Sequence, residues 1–412
     1  MEYIKPFSYD NYLTYKIEQE DTPERVATKL NIDLYKLRSY HNRYCRKEDC
    51  IGPVFPGHLK FLIIQSDEEI LAKEAYCEPV RFSTQAFKLP FHPESLNKKY
   101  LAMYTIEKGN EKRIIKEELT VKWLSTYKDD YFFFEIDRKS LYIDEKETKS
   151  MADELAEITA KVFYPLQIVV DINGKFVAIH NFSSIVDRWS DVKKEVFENF
   201  SGDAAMARLE VFENNLEDKE IISKAFSGDW FLNAFFGGLN IEYKETGTIE
   251  NTIKFTFLQK SGEMEFLVQQ KILPTVDQYN LINITQNGFL SDTRTKDDFE
   301  NTLTFQNSHT IDGRSAKAEG IFKASYFLDP NMYTIESLFL ECEVKLDIPK
   351  KITIAISDMT DSGKVVIDSK INLYIPTDEI KDKINRELVW MKILLAAMLI
   401  CIAFCIYIFK KR

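Results

Sequence analysis

The chain lacks the signatures that usually announce chemistry. Its five histidines, His41, His58, His92, His180 and His309, are scattered, and none forms a His-x-x-x-His or His-Glu-x-x-His pair. Metal-ligating spacing of that kind is therefore missing. No Gly-x-Ser-x-Gly elbow, phosphate loop or dinucleotide fingerprint occurs, so the local frameworks for those reactions are absent too. The expectation is a protein without a catalytic set and without a cofactor. The acids Glu117-Glu118 and Asp129-Asp130 are neighbours in sequence only, and Asp137-Arg138-Lys139 reads as a polar, solvated turn. An excess of basic residues is also missing. The net charge of the 412 residues is −11, which argues against a nucleic-acid partner, because such a partner needs a clustered basic surface. Cysteines number six. Cys45 and Cys50 are close enough in sequence to bridge in an oxidising compartment; two free thiols in a reducing one fit the rest of the reading better.

The first ten residues, Met1 to Asp10, have no basic stretch followed by an apolar run, so they predict no secretory signal. A single long apolar run stands near the other end. From Ile393 to Phe409 there is no charge, no Pro and no Gly. That run sits at the lower end of the roughly 17–25 residues a spanning helix needs. Leu388 to Met391 extend it past Lys392, which can snorkel, and Trp390 and Tyr407 sit where interfacial aromatics belong. Residues 388–409 are therefore expected to be one transmembrane helix, and 376–387 a short charged linker. With no signal ahead of the body, the expected location is the inner (cytoplasmic) membrane, single-pass, with the body in the cytoplasm.

The opening seventy residues carry a compact pattern. Tyr15-Lys-Ile17 alternates as a short strand. Thr22 can cap a helix whose first turn holds Pro23 and Glu24, each suited to that place. Val26, Ala27 and Leu30 mark its buried stripe. A second short helix with Ile32, Leu34 and Leu37 is predicted through about Tyr40, and Asn42 is expected to begin a loop. Pro56-Gly57 turns the chain into a closing strand, Leu59 to Ile64. The order strand, helix, helix, strand, with Asp21-Thr22, Val26-Ala27, Leu37, Asn42 and Pro56-Gly57 at these places, resembles the LysM module over about residues 12–65. In that family, N-acetylglucosamine polymers lie in a groove between the loop after the first strand and the loop after the second helix. The resemblance thus implies a groove at Glu20, Asp21, Thr22, Asn42, Pro56 and Gly57. Glu20 stands where the family has Gly, and the stretch from Asn42 to Pro56 is long and charged. Both changes narrow the groove and turn the reading toward a protein contact through Arg43, Arg46 and Lys47.

The remainder reads as an α+β body. Residues 71–145 are β-rich, with strands at Tyr100–Tyr104, Leu119–Trp123 and Tyr131–Ile136. Residues 146–240 are helix-rich around one hairpin. Met151, Leu155, Ile158 and Val162 share a helix face, Asn173-Gly174 signals a two-residue turn, and Ser183 or Ser184 is expected to cap the helix bearing Ile185, Trp189, Val192 and Val196. Trp230, Phe231, Leu232, Phe235 and Phe236 concentrate apolar surface. They read either as a helix packed on a sheet or as a partner-docking or lipid-facing patch, with Trp230, Phe231 and Phe235 as candidate contacts. Residues 241–375 alternate as strands of an antiparallel sheet.

Taken together, the sequence predicts a bacterial, membrane-tethered, non-enzymatic assembly or adaptor protein. Its LysM-like βααβ module at 1–70 is followed by a large α+β body. LysM modules also serve as protein contacts in contractile machines, which suggests an association with a contractile secretion or injection apparatus by analogy. Two alternatives stand beside it: a peptidoglycan- or N-acetylglucosamine-binding cell-envelope protein, and a lipid- or peptide-binding carrier.

Overall fold

The computed structural model describes residues 12–64, 78–83, 87–128, 130–143, 146–147, 151–200, 203–258, 261–307 and 317–359. The expected linker, 376–387, and the expected membrane segment, 388–409, lie outside the described residues. Among those described, no helix is long and apolar enough to cross a membrane. The chain is mixed α+β, with a large antiparallel sheet and helices.

The first unit is built from β1 (Thr14–Lys16), α1 (Pro23–Leu30), α2 (Leu34–Tyr44) and β2 (Phe61–Ile63). β1 and β2 pair antiparallel, Tyr15 opposite Leu62. Thr22 caps α1 by accepting from the Arg25 amide, with Pro23 in the first turn. Asp33 caps α2 by accepting from the Tyr35 and Lys36 amides. Val26, Ala27, Leu37, Ile51, Leu59 and Leu62 bury together as a small core of its own. One expectation needs correcting. α2 runs on to Tyr44, so Asn42 lies in its last turn instead of opening a loop. The buried side chains of His41 and Asn42 hold the loop that follows, and that favours another helical turn.

The body contains one 12-stranded sheet, antiparallel throughout. One meander comprises β3 (Asn97–Lys108), β4 (Glu111–Tyr127), β5 (Tyr131–Ile143), β7 (Leu166–Asp171) and β8 (Phe176–Ile179), with the short β6 (Lys146–Glu147) beside β5. A second comprises β9 (Thr248–Phe255), β10 (Met264–Ile272), β11 (Ile282–Leu290), β12 (Glu319–Leu328), β13 (Ile335–Lys345) and β14 (Lys350–Asp358). The two join where β3 pairs β14, Tyr104 opposite Ile354. Strands from segments 71–145 and 241–375 therefore share one ladder.

Strand side chains alternate between faces, and both faces of this sheet are used. Tyr100, Ala102 and Tyr104, with Ile352, Ile354 and Ile356, point to one core. That core is closed by α3 (Met151–Ala160), α4 (Phe182–Asn199), α5 (Asp203–Glu217), α6 (Lys219–Ser227) and α7 (Trp230–Phe235). On α4 the buried stripe is Ile185, Trp189, Val192 and Val196, the spacing of a one-sided helix. The intervening positions Leu101, Met103, Phe339 and Ala355 face the other way and cluster with Cys45, Cys50 and Ile63 of the first unit. The order of layers is helices, sheet, first unit. A short α8 (Lys296–Glu300) carries a capping box between Thr295 and Asp298.

Gly174, at φ 76°, ends the loop between β7 and β8, where a Cβ would lie 2.8 Å from the Asn240 Oδ1. The loop is 172–174, one residue longer than the expected two-residue turn, because the Asp171 N–H donates to the Lys175 carbonyl. The cap expected at Ser183 or Ser184 is not where α4 begins. Asn181 occupies that place without capping through its side chain. Its amide instead accepts from the Gln167 N–H at 2.9 Å and donates to the Pro165 carbonyl at 2.9 Å, tying the helix start to β7. Asp137-Arg138-Lys139, expected as a solvated turn, lies within β5.

Candidate functional site

The loops expected to form a sugar groove are internally committed. Asp21 takes three donors: the Tyr15 hydroxyl at 2.9 Å, the Glu18 amide at 2.9 Å and the Lys29 ammonium at 2.7 Å. The side chain keeps 2% of its surface. The Lys29 bond, helped by the Glu18 amide, holds its carboxyl below the usual range. Thr22 serves as the α1 cap. Glu20 stays open, its side chain 92% exposed and 3.8 Å from Arg25. Asn42 forms a two-bond clamp on one residue, accepting from the Ile51 N–H at 2.8 Å and donating to the Ile51 carbonyl at 3.0 Å. Pro56 is buried and Gly57 exposed. Of the six predicted groove residues, the structure spends Asp21, Thr22 and Asn42 on the fold and leaves Glu20 and Gly57 on the surface.

His41 anchors the same loop. Its Nδ1 accepts from the Ile63 N–H at 2.9 Å, so the proton belongs on Nε2, which donates to the Asp49 carbonyl at 3.1 Å. Burial lowers its pKa to about 4, and the ring stays neutral at physiological pH. A depression of about 500 Å³ on this unit is lined by Glu24, Ala27, Thr28, Asn31, Ile32, Asp33 and Leu34. It does not coincide with the predicted groove.

Two of the predicted contact cations, Arg43 and Lys47, reach acids of the sheet. Lys47 reaches the Glu118 carboxylate on β4 at 2.9 Å and lies 5.9 Å from the Tyr142 ring centre. Arg43 stands 3.9 Å from Glu336 of β13. Glu336 is itself bonded to Lys98, which also meets Asp358 at 2.8 Å. Arg46 is exposed. Ser39 and Ser337 share a 2.6 Å hydrogen bond, and Asn42 reaches the Ser357 hydroxyl at 3.4 Å. The charged insertion therefore helps seat the unit on the sheet. Lys98, Glu336 and Asp358 come from three strands, and no local pattern in the sequence announces them.

The aromatic cluster in α7 belongs to the core. Phe231 and Phe235 keep 3% and 6% of their surface and stack at 5.1 Å, and Phe235 meets Tyr100 edge-on at 4.8 Å. Trp230 is half-buried and donates its indole N–H to the Thr256 carbonyl at 2.9 Å. As placed, Phe231 and Phe235 have no surface to offer a partner. The cavity that Phe235 and Phe236 help line measures about 30 Å³, the space of one water rather than of a lipid chain.

Beside α7 lies a polar knot that sequence reading missed. Glu117 accepts from the Tyr104 hydroxyl and stands 3.7 Å from Arg138, whose guanidinium lies 4.7 Å over the Tyr164 ring. Asp229 caps α7 by accepting from the Leu232 N–H at 2.8 Å. Burial, reinforced by the nearby Glu117 charge, pushes its carboxyl up to about 7. Among the described residues, no group of three or more His, Cys, Asp or Glu is arranged to hold a metal ion.

No family model and no curated protein matches the chain. Among solved structures, ten chains match. One is lipovitellin, in a structure titled for its lipid–protein interactions, at 9% identity and a TM-score of 0.33, covering 69% of this chain. The match spans 28% of the lipovitellin chain. At that score the likeness carries no argument about this protein.

Proposed function

We propose that the chain is a membrane-tethered, non-enzymatic adaptor. A LysM-like strand–helix–helix–strand unit is held on one face of a wide sheet and presents its outer loops to a protein partner. Residues 388–409 serve as the anchor, with the body on the cytoplasmic side. The observation that supports this reading is the internal commitment of Asp21 and Asn42. Groups that would recognise a sugar by hydrogen bonds are saturated by Lys29, Tyr15 and Ile51. What the unit leaves outside is charged and protruding, notably Glu20, Arg25 and Glu48, which suits electrostatic steering of a partner.

Two measurements test this. Full-length protein carrying a photoreactive residue in place of Glu20 should give discrete protein adducts in membranes, and the same residue in place of Glu198, exposed on α4 in the helix layer across the sheet, should not. Micromolar binding of N-acetylglucosamine oligomers, lost in Asp21→Ala, would overturn the reading in favour of a glycan-binding envelope protein. The side of the membrane is tested with Val54→Cys, because Val54 is 43% exposed whereas Cys45 and Cys50 are 7% and 1% exposed. An impermeant thiol reagent should label it only after lysis. Labelling in cells with a sealed inner membrane would place the body outside.

A further inference from the structure

Sulfur atoms from the two ends of the described chain converge between the first unit and the sheet. Cys45 follows α2, Cys50 follows the short turn Lys47–Asp49, and their Sγ atoms lie 3.5 Å apart. Met359 follows β14, and its Sδ lies 3.8 Å from the Cys50 Sγ. Both thiols are free and buried. Met103 belongs to the same cluster. Its Sδ comes within 2.7 Å of the place a Cβ on residue 52 would take, so Gly52 leaves it room.

We propose that Cys45, Cys50 and Met359 form a binding site for a soft monovalent metal ion, Cu(I). Thiolate and thioether are the donors that select this ion. Metal–sulfur bonds of about 2.3 Å place the sulfurs of a three-coordinate site roughly 4.0 Å apart. The observed separations of 3.5 and 3.8 Å need to open by only a few tenths of an ångström. A two-cysteine pair alone would suit a disulfide equally well. The thioether that strand β14 brings against Cys50 is what points to a metal. Structural zinc is disfavoured because it takes four N or S ligands, and the neighbouring His41 has both ring nitrogens engaged. The step balances without redox change: Cu(I) and two thiols give a bis-thiolate complex and two released protons, while the thioether stays neutral. The bound ion would staple the first unit to the end of β14, close to where the chain continues toward 388–409.

The test is a Cu(I) titration of reduced, full-length protein in detergent without oxygen, against a chromogenic Cu(I) chelator. Cys77, Cys401 and Cys405 are changed to Ala so that other thiols do not contribute, and buried Cys342 remains as an internal control. One Cu(I) per chain should resist the chelator, with a sulfur-only, three-coordinate X-ray absorption signature. Cys45→Ser or Cys50→Ser should abolish retention. Met359→Leu, which keeps the apolar volume, should leave folding intact and weaken retention at least about tenfold, since even loss of groups that merely orient a ligand costs 10–100-fold. The proposal fails if no chelator-resistant copper is held, if the serine variants hold it equally, or if Met359→Leu changes neither affinity nor coordination number. Recovery of Cys45 and Cys50 as a disulfide, with no copper uptake after reduction, would overturn it in favour of a redox pair.

Discussion

Asp229→Asn should stabilise the protein by an amount that grows as pH rises from about 4 to about 7 and then levels off. Asp229 caps α7 through the Leu232 amide, with its carboxyl near Glu117, and titrates near 7 against an ordinary 3.8. The folded state therefore holds this proton more tightly than the unfolded chain does. A raised folded pKa contributes stability that is fully present below about pH 3.8 and is lost as pH rises through about 7. Fully expressed, that loss would amount to about 4 kcal/mol. Residue 229 as a whole is only half-buried, so solvent screens part of it. Replacing a charged cap by a neutral one also forfeits up to about 1 kcal/mol of interaction with the helix dipole. Asn retains capping ability. The net expectation is a gain of about 2 kcal/mol at pH 8 and none at pH 4. Urea unfolding of parent and variant, followed by tryptophan fluorescence at both pH values, measures the difference directly. Equal stability at pH 8, or the same gain at both pH values, would refute the argument that burial of this carboxyl opposes its ionisation.

Asn42→Ala should destabilise the first unit by on the order of 3 kcal/mol, because it strands the buried amide and carbonyl of Ile51, each a costly group to leave unpaired; amide exchange at Ile51 reads this locally, and unchanged protection would count against the clamp. Phe235→Ala should cost about 3–5 kcal/mol as a cavity mutation, since the ring packs on Phe231, Phe236 and Tyr100. A folded, equally stable variant that loses a partner would instead return α7 to the role of docking surface.

Local physics was legible in the sequence wherever a few adjacent residues suffice. Thr22, Pro23 and Glu24 start α1, the Ile185–Val196 stripe makes α4 one-sided, and Asn173-Gly174 turns β7 into β8. These depend on caps, periodicity and backbone preference within one element. The apolar run at 393–409 is likewise a property of composition alone. Tertiary structure decided everything that needs two distant segments. Pairing of β3 with β14 joins residues about 250 positions apart, and no local pattern specifies that neighbour. Helix α2 outran its predicted end because Asn42 and His41 find backbone partners at Ile51, Asp49 and Ile63. Asn181 gave up side-chain capping of α4 to bind residues 165 and 167. Arg43 and Lys47 look like free surface charges in sequence, yet acids on β13 and β4 take them up. Residue type sets what a side chain can bind; only the fold sets which partner arrives first, and a group already satisfied inside the molecule is no longer available outside it.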